Sequence, residues 1–243
     1  MRVAVVSDIH GNLSALEAVI EDLRSVSPDL VVHGGDLVGS GSRPAEVIDL
    51  IRGLRWPGVV GNTDEMLWAP QRLTEVLKSP QLRALRDTLL DEIVPATRAA
   101  IGDARLAWLR ELPTEWSAGG LSVVHASPGD VWRAPLPDAA DEELEKTFGP
   151  LGGHAVVYGH IHRPFVRRLE TFSIANAGSV SLPYDGDPRA SYALVDEGKI
   201  EIRRVSYDIE KEVGRLMEGR YPQADWLAKI LRTGSYVPPP GMA

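Results

Sequence analysis

Short apolar runs and helix-like patterns alternate at the start of the chain. Four apolar residues at positions 3–6, three of them valine, precede a polar segment and predict a buried parallel strand. Apolar residues at helical spacing then predict a helix over about residues 13–25. This helix has two candidate N-terminal caps: Asn12, and a capping box formed by Ser14 and Glu17.

The next segments repeat this order. Residues 29–33 resemble the first strand, and Pro44 stands where the first turn of a second helix tolerates proline. Residues 58–60 predict a third short strand, which ends at Gly61 and Asn62. A β-α-β-α-β order with right-handed crossovers predicts a parallel sheet.

The middle of the chain, residues 64–112, has a helical pattern without a catalytic motif. Pro70, Pro80 and Pro95 interrupt it and leave the helix boundaries open. Further strands are predicted at residues 114–117, 121–125, 155–158, 173–175, 191–195 and 200–205. The second half is therefore richer in strands, which favours two packed sheets.

After Asp208 the pattern returns to helix as far as Leu231, and residues 236–240 predict a loose tail. We expect an α/β (α+β) fold in one domain, residues 1–243, because no linker or repeat divides the chain. The motifs described below lie in residues 1–206, and residues 207–243 form a C-terminal helical tail.

The amino-acid composition restricts which partners and which metal-binding atoms this chain can use. The net charge of −8 provides no overall positive field that would hold nucleic acid non-specifically. The absence of cysteine excludes disulfides, thiolate ligands and a cysteine nucleophile, so a metal would be bound by nitrogen and oxygen. The first apolar run is too short for a signal peptide or a membrane span, so we expect a cytoplasmic protein without a membrane partner.

Five short polar motifs each begin where an apolar strand ends. They are Asp8-Ile9-His10, Gly34-Gly35-Asp36, Gly61-Asn62-Thr63-Asp64, His125 and Gly159-His160-Ile161-His162. Each motif taken alone is typical of a turn, a helix cap or a structural histidine. Four of the six histidines stand at these strand ends, however, and side chains at the carboxyl ends of strands converge on one crevice. Together the motifs predict a shared metal site.

The ordered set resembles the calcineurin-like metallophosphoesterase family, and the match spans residues 8 to 162. Two further segments are similar to its small bacterial and archaeal phosphodiesterase branch. These are Gly35-Asp36-Leu37-Val38-Gly39 and Asn176-Ala177-Gly178-Ser179. The resemblance implies a four-layer αββα sandwich of two mixed β-sheets flanked by helices.

The resemblance also implies two divalent metal ions. Asp8, His10 and His162 would bind one ion, Asn62, His125 and His160 the other, and Asp36 would bridge them. Asp36, Asn62 and His125 would be catalytic at this centre, where a metal-bridging hydroxide attacks phosphorus in line. We expect manganese, with iron, cobalt, nickel or zinc as alternatives that the same donor atoms suit.

Two positions are candidates for substrate binding. Asn12 could donate to a phosphate, although capping the helix is the favoured interpretation. Thr63 stands where the family usually has a histidine that protonates the leaving oxygen, and threonine cannot do so near neutral pH. We therefore expect good leaving groups to be preferred, with Thr63 positioning substrate or water.

Two other functions remain as alternatives. A non-catalytic scaffold of the same fold would bind proteins, but none of the seven ligand positions is substituted. A metal-dependent nuclease would need to hold a long polyanion, which the acidic balance disfavours. The expected partner is a small phosphoester, and the sequence leaves open whether the protein forms a homo-oligomer.

Overall fold

The computed structural model describes residues 1–241 and contains two β-sheets packed face to face between layers of helices. The strands are β1 Arg2–Val6, β2 Leu30–His33, β3 Glu115–Ala118, β4 Leu121–Val124, β5 Ala155–Tyr158, β6 Phe165–Arg168, β7 Ser173–Asn176, β8 Ala190–Asp196 and β9 Lys199–Val205. The helices are α1 Leu13–Val26, α2 Pro44–Leu54, α3 Asn62–Glu65, α4 Pro70–Val76, α5 Arg83–Thr88, α6 Val94–Arg110, α7 Asp141–Phe148, α8 Ile209–Glu218 and α9 Ala224–Thr233.

Both sheets are mixed. The four-stranded sheet has the order β2-β1-β8-β9, with β1 and β2 parallel and the other pairs antiparallel. The five-stranded sheet has the order β3-β4-β5-β7-β6, with a parallel centre from β4 to β7 and antiparallel edges. The parallel pairs β1–β2 and β4–β5 carry the loops that form the site described below.

Strand β1 shows how the four layers are built. Its side chains alternate between two faces, so Val3 and Val5 pack between the sheets while Ala4 and Val6 pack under the helices. Helices α1, α2 and α6 cover that outer face of the four-stranded sheet. Helix α7 covers the outer face of the other sheet with Leu144 and Phe148. The predicted four-layer fold with two mixed sheets is confirmed.

Some elements differ from the sequence prediction. Residues 58–60 make a single parallel bridge, between Gly58 and His33, instead of a third strand. The amide of Val60 turns away and donates to Pro113 O, so the ladder stops after one bridge. Strand β6 and helix α7 were not predicted, and Pro95 lies within the first turn of α6 without ending it.

The C-terminal segment packs against the body of the protein. Helices α8 and α9 form an apolar cluster with Leu182, in the loop between β7 and β8. The prediction of a loose tail is wrong for its first residues, because Val237 O accepts a hydrogen bond from Trp226 Nε1 at 2.7 Å. Within residues 1–241, no helix combines the length and the apolar character needed to cross a membrane.

Candidate metal centre

The seven predicted ligands converge at the carboxyl ends of strands from both sheets. Asp8 and His10 follow β1, Asp36 follows β2, His125 follows β4, His160 and His162 follow β5, and Asn62 begins α3. The loops between these elements are short, so the strand directions alone bring together residues that are up to 154 positions apart in the sequence.

Four of these side chains form one group of donor atoms. Ligand atoms of Asp8, His10, Asp36 and His162 all lie within 4.8 Å of one another, and all four side chains are buried. His162 Nε2 lies 3.0 Å from Asp8 Oδ1 and 3.1 Å from His10 Nε2. A centre of nitrogen and carboxylate donors at this spacing has the size and chemistry of a transition-metal site.

A second group lies beside the first. Asn62 Oδ1 is 2.8 Å from His125 Nε2 and 2.7 Å from His160 Nδ1. Asp36 faces both groups, because its Oδ2 is 3.7 Å from His10 Nε2 and its Oδ1 is 3.4 Å from His125 Nε2. This is the position that a bridging carboxylate would occupy.

The backbone at the site is unusual. Five of the seven residues have a positive φ: Asp8 at 58°, His10 at 51°, Asp36 at 52°, His160 at 68° and His162 at 56°. Residues other than glycine rarely adopt this left-handed conformation, and its occurrence in a cluster is typical of functional sites. It turns successive side chains toward one centre within very short loops.

Backbone carbonyls fix the orientation of two imidazoles. His125 Nδ1 lies 2.8 Å from Gly34 O, and His162 Nδ1 lies 2.6 Å from Leu182 O. A carbonyl can only accept, so each Nδ1 carries a hydrogen and each ring directs its Nε2 into the site. Such an arrangement is typical of histidines that bind metal.

Burial determines the protonation of the other two rings. It lowers the pKa of His10 to about 3, with help from neighbouring His162, and lowers the pKa of His160 to about 3, with help from His125. Both rings are therefore neutral at pH 7 and have lone pairs to donate. For His125, burial lowers the pKa, but the charges of Asp36 and Asp8 raise it overall.

Asp8 and Asp36 place two buried carboxyl groups at the site, and nearby positive charge would stabilise their ionised forms. Burial would raise the pKa of Asp8, but the adjoining His162 holds it well below its usual range. Burial raises the pKa of Asp36, and the negative charge of Asp8 adds to that rise. Buried carboxylates beside neutral imidazoles are stabilised by cations, so the donor set fits divalent metal ions.

Asp64 connects two of the ligand-bearing loops. Its carboxylate accepts hydrogen bonds from the backbone amides of Leu37, Val38 and Gly61. In the sequence this residue was marked only as the last member of the Gly61-Asn62-Thr63-Asp64 motif. Three buried amides on one carboxylate identify it as a positioning residue for Asp36 and Asn62.

The segment Asn176-Ala177-Gly178-Ser179 braces the other loops. Asn176 Nδ2 donates to Gly159 O, and Ser179 Oγ donates to Asp8 O at 2.8 Å. The same Ser179 Oγ accepts from the amide of Leu182 at 2.8 Å. This segment, which the sequence marked only by resemblance, therefore holds the backbone beside Asp8 and His160.

Asn12 has a structural role in these contacts. Its Oδ1 caps α1 by accepting from Ala15 N at 3.0 Å, and its Nδ2 donates to Ser181 and Tyr207. The capping interpretation is confirmed, and the alternative capping box is not the one that forms. A phosphate contact by Asn12 stays a prediction, and the residue has no exposed surface with which to make one.

Thr63 lines the cavity that opens on the ligands. Its backbone amide donates to Asp36 Oδ1 at 2.8 Å, and its hydroxyl donates to Val38 O at 2.7 Å. The side chain of Trp132 also lines this cavity.

Comparisons with known sequences find relatives that match most of the chain. The family model of the calcineurin-like phosphoesterase superfamily domain matches residues 1–199. An uncharacterized protein of Methanocaldococcus jannaschii is 33% identical over 255 aligned positions, which cover 96% of this chain and 98% of that protein.

Two solved structures are similar over almost their whole length. A metallophosphoesterase from Sphaerobacter thermophilus is 28% identical, with a TM-score of 0.78 over 96% of this chain and 100% of that chain. A hypothetical protein from Pyrococcus horikoshii is 22% identical, with a TM-score of 0.81 over 97% of this chain and 99% of that chain. The second likeness concerns the fold alone.

Proposed function

The chain belongs to the calcineurin-like phosphoesterase superfamily, and on this premise we propose that it hydrolyses a phosphoester at a centre of two divalent metal ions. The ligands would be Asp8, His10, Asp36, Asn62, His125, His160 and His162. The observation that carries the proposal is the position of Asp36, whose two carboxylate oxygens face different groups of donors.

The protein side of the reaction follows from the donor set. When bound, two divalent ions supply a nucleophile by lowering the pKa of water towards neutrality, and they neutralise charge on the phosphoryl group. Asp8 and Asp36 are the only carboxylates in the set, and His10 and His160 are neutral, so the ligands leave net positive charge for an anionic substrate. Buried side chains with fixed partners keep these donors in place before substrate arrives.

Thr63 restricts the substrates that this centre would hydrolyse efficiently. Its hydroxyl is held by Val38 O and does not titrate near neutral pH, so it cannot protonate a leaving alkoxide. We therefore expect phosphodiesters and monoesters with good leaving groups to react faster than alkyl esters. Within this class we favour a phosphodiester, in keeping with the branch that the motifs resemble.

The proposal is tested with a panel of phosphodiesters and phosphomonoesters, each assayed with manganese, iron, cobalt, nickel and zinc. We expect metal-dependent hydrolysis of bis(4-nitrophenyl) phosphate, strongest with manganese. Asp36→Asn should lower both metal content and rate, the rate by more than about a hundredfold. Asp103→Asn makes the same chemical change on the exposed surface of α6 and serves as the control.

Two results would contradict the proposal. An Asp36→Asn variant as active as the parent would reject the bridging role. A parent protein that hydrolyses no ester with any of the five metals would favour the scaffold alternative.

A further inference from the structure

A cavity of about 310 Å³ opens directly on the candidate metal centre. Its floor includes His10, Asp36, Asn62, Thr63, His160 and His162. Its volume is about twice that of an apolar cavity of about 150 Å³ that encloses benzene, so it accommodates a group larger than one aromatic ring. The cavity is thus large enough to bind the organic part of a phosphoester whose phosphate lies on the ligands.

The wall facing the ligands is apolar and comes from two separate parts of the chain. One part is the segment from α4 to the turn after α5, and the other is α9. Side chains from these segments line the cavity at Leu77, Leu85, Leu89, Trp226, Leu227 and Ile230. Leu227 and Ile230 are nearly fully buried and pack in one cluster with Leu182, so this wall is fixed to the loop that orients His162.

Aromatic rings continue from this wall to a metal ligand. Tyr184 stacks on His162, with ring centroids 4.6 Å apart and an interplanar angle of 23°. Tyr236 meets Tyr184 edge to face, with centroids 5.5 Å apart. An apolar ring or chain attached to a bound phosphate would therefore contact aromatic carbon before it reached the leucines.

The charges of the residues that line the cavity favour phosphoesters with an apolar organic group over phosphoesters with a charged one. Among the described residues that line the cavity, none is lysine, arginine or glutamate, and Asp36 is the one carboxylate. A nucleoside polyphosphate or a phosphopeptide would bring further charges or polar groups that find no ionic partner here. An apolar organic group instead gains the free energy of burial against leucine, tryptophan and tyrosine.

We propose that this cavity binds the organic group of the substrate and that this group is apolar, either a bicyclic aromatic ring or an alkyl chain of comparable volume. The assignment rests on the proposed phosphoesterase function, because the phosphate is taken to lie on the candidate ligands. It goes beyond that function by naming the substrate class: small esters of phosphate with a hydrophobic alcohol.

Alkylphosphonates test the proposal, since each carries one organic group and none is hydrolysed. We would measure by calorimetry the dissociation constants of methyl-, butyl- and hexylphosphonate for the manganese-loaded protein. Affinity should rise about three- to fourfold per methylene group while the chain enters the cavity. Leu77→Gln keeps the size of a lining residue but adds a polar amide, so it should flatten this series without weakening methylphosphonate.

Leu54→Gln is the matched control, because Leu54 is 40% exposed at the end of α2 and does not line the cavity. Affinity that is independent of chain length, together with normal hydrolysis of bis(4-nitrophenyl) phosphate, would overturn this inference and leave the proposed function intact. The expected series without hydrolysis of any ester would support the apolar site and reject the enzyme. Absence of both hydrolysis and phosphonate binding would overturn both.

Discussion

The carboxylate of Asp64 accepts a hydrogen bond from the backbone amide of Leu37, with 2.9 Å between Oδ1 and N. Its second oxygen accepts from Gly61 N at 3.1 Å. Leu37 directly follows Asp36, and Gly61 directly precedes Asn62, so one buried side chain connects the loops of two candidate ligands. The site therefore depends on a residue that would not itself bind metal.

Asp64→Asn should weaken manganese binding about 10- to 100-fold, the range found when a partner of a ligand is removed. An amide nitrogen cannot accept, so at least one of the backbone donors at Gly61 or Leu37 loses its partner. The free energy of unfolding should fall by about 1–3 kcal/mol. Calorimetric titration with manganese and urea unfolding measure the two effects. The exposed Asp103→Asn serves as control. If Asp64→Asn binds manganese as tightly as the parent, Asp64 does not position the metal ligands.

Gly159→Ala should disturb the centre through direct overlap. A β-carbon at position 159 would collide with Asp8 Oδ2 and with Ser7 Oγ, and both of these side chains are fully buried. We expect a loss of stability of about 1–3 kcal/mol and reduced metal content. Gly53→Ala is the matched control, because no atom lies within 4 Å of its added carbon, and in helix α2 it should stabilise by about 0.5–1 kcal/mol. Equal metal content in both variants would show that Gly159 is not needed for the site.

The elements that the sequence predicted best are those with a strong local pattern. Strand β5 is an unbroken apolar run, β1 is one after its first residue, Arg2, and α1 has apolar residues at helical spacing. Helix α7 was missed because only Leu144 and Phe148 of its eight residues are buried. Strand β6 was missed because it is a four-residue edge strand in which alternate positions are exposed.

At the candidate site, the positions of the strand ends predicted which side chains meet. They did not predict the backbone conformations and hydrogen bonds that hold these side chains in place. Residue type did not predict the left-handed backbone at Asp8 and His160, since aspartate and histidine adopt it more often than most residues but also occur in ordinary turns. The apolar wall from α9 depends on the packing of the C-terminal helices, which no local pattern describes. The acidic residue of the Gly61-Asn62-Thr63-Asp64 motif was the one sequence feature that pointed to the hydrogen bonds between the loops of Asp36 and Asn62.

Asp22→Asn should lower stability in a pH-dependent manner, at a position away from the candidate metal centre. Burial would raise the pKa of Asp22, but hydrogen bonds from Arg203 and Tyr192 lower it overall. A folded pKa below the unfolded value of about 3.9 stabilises the protein fully above that value, and the contribution is lost as pH falls through the folded pKa. We expect a loss of about 1 kcal/mol at pH 7. Urea unfolding should show parent and variant converging below about pH 4, and a constant difference down to pH 3 would contradict the ion pair.

Thr63→His should supply a general acid at the position where the family usually has a histidine. Position 63 lines the cavity beside Asp36, and the hydrogen bond to Asp36 Oδ1 comes from the backbone, so it survives the substitution. A histidine there should raise the hydrolysis rate of alkyl esters by up to about 10²–10⁴, while 4-nitrophenyl esters change little because their leaving group needs no proton. The measurement is the dependence of kcat on the pKa of the leaving alcohol, which should become shallower in the variant. Thr63→Asn is the control, since it adds a polar side chain that does not titrate. If the histidine and asparagine variants retain the steep dependence of the parent, Thr63 does not occupy the place of the acid, and the preference for good leaving groups needs another cause.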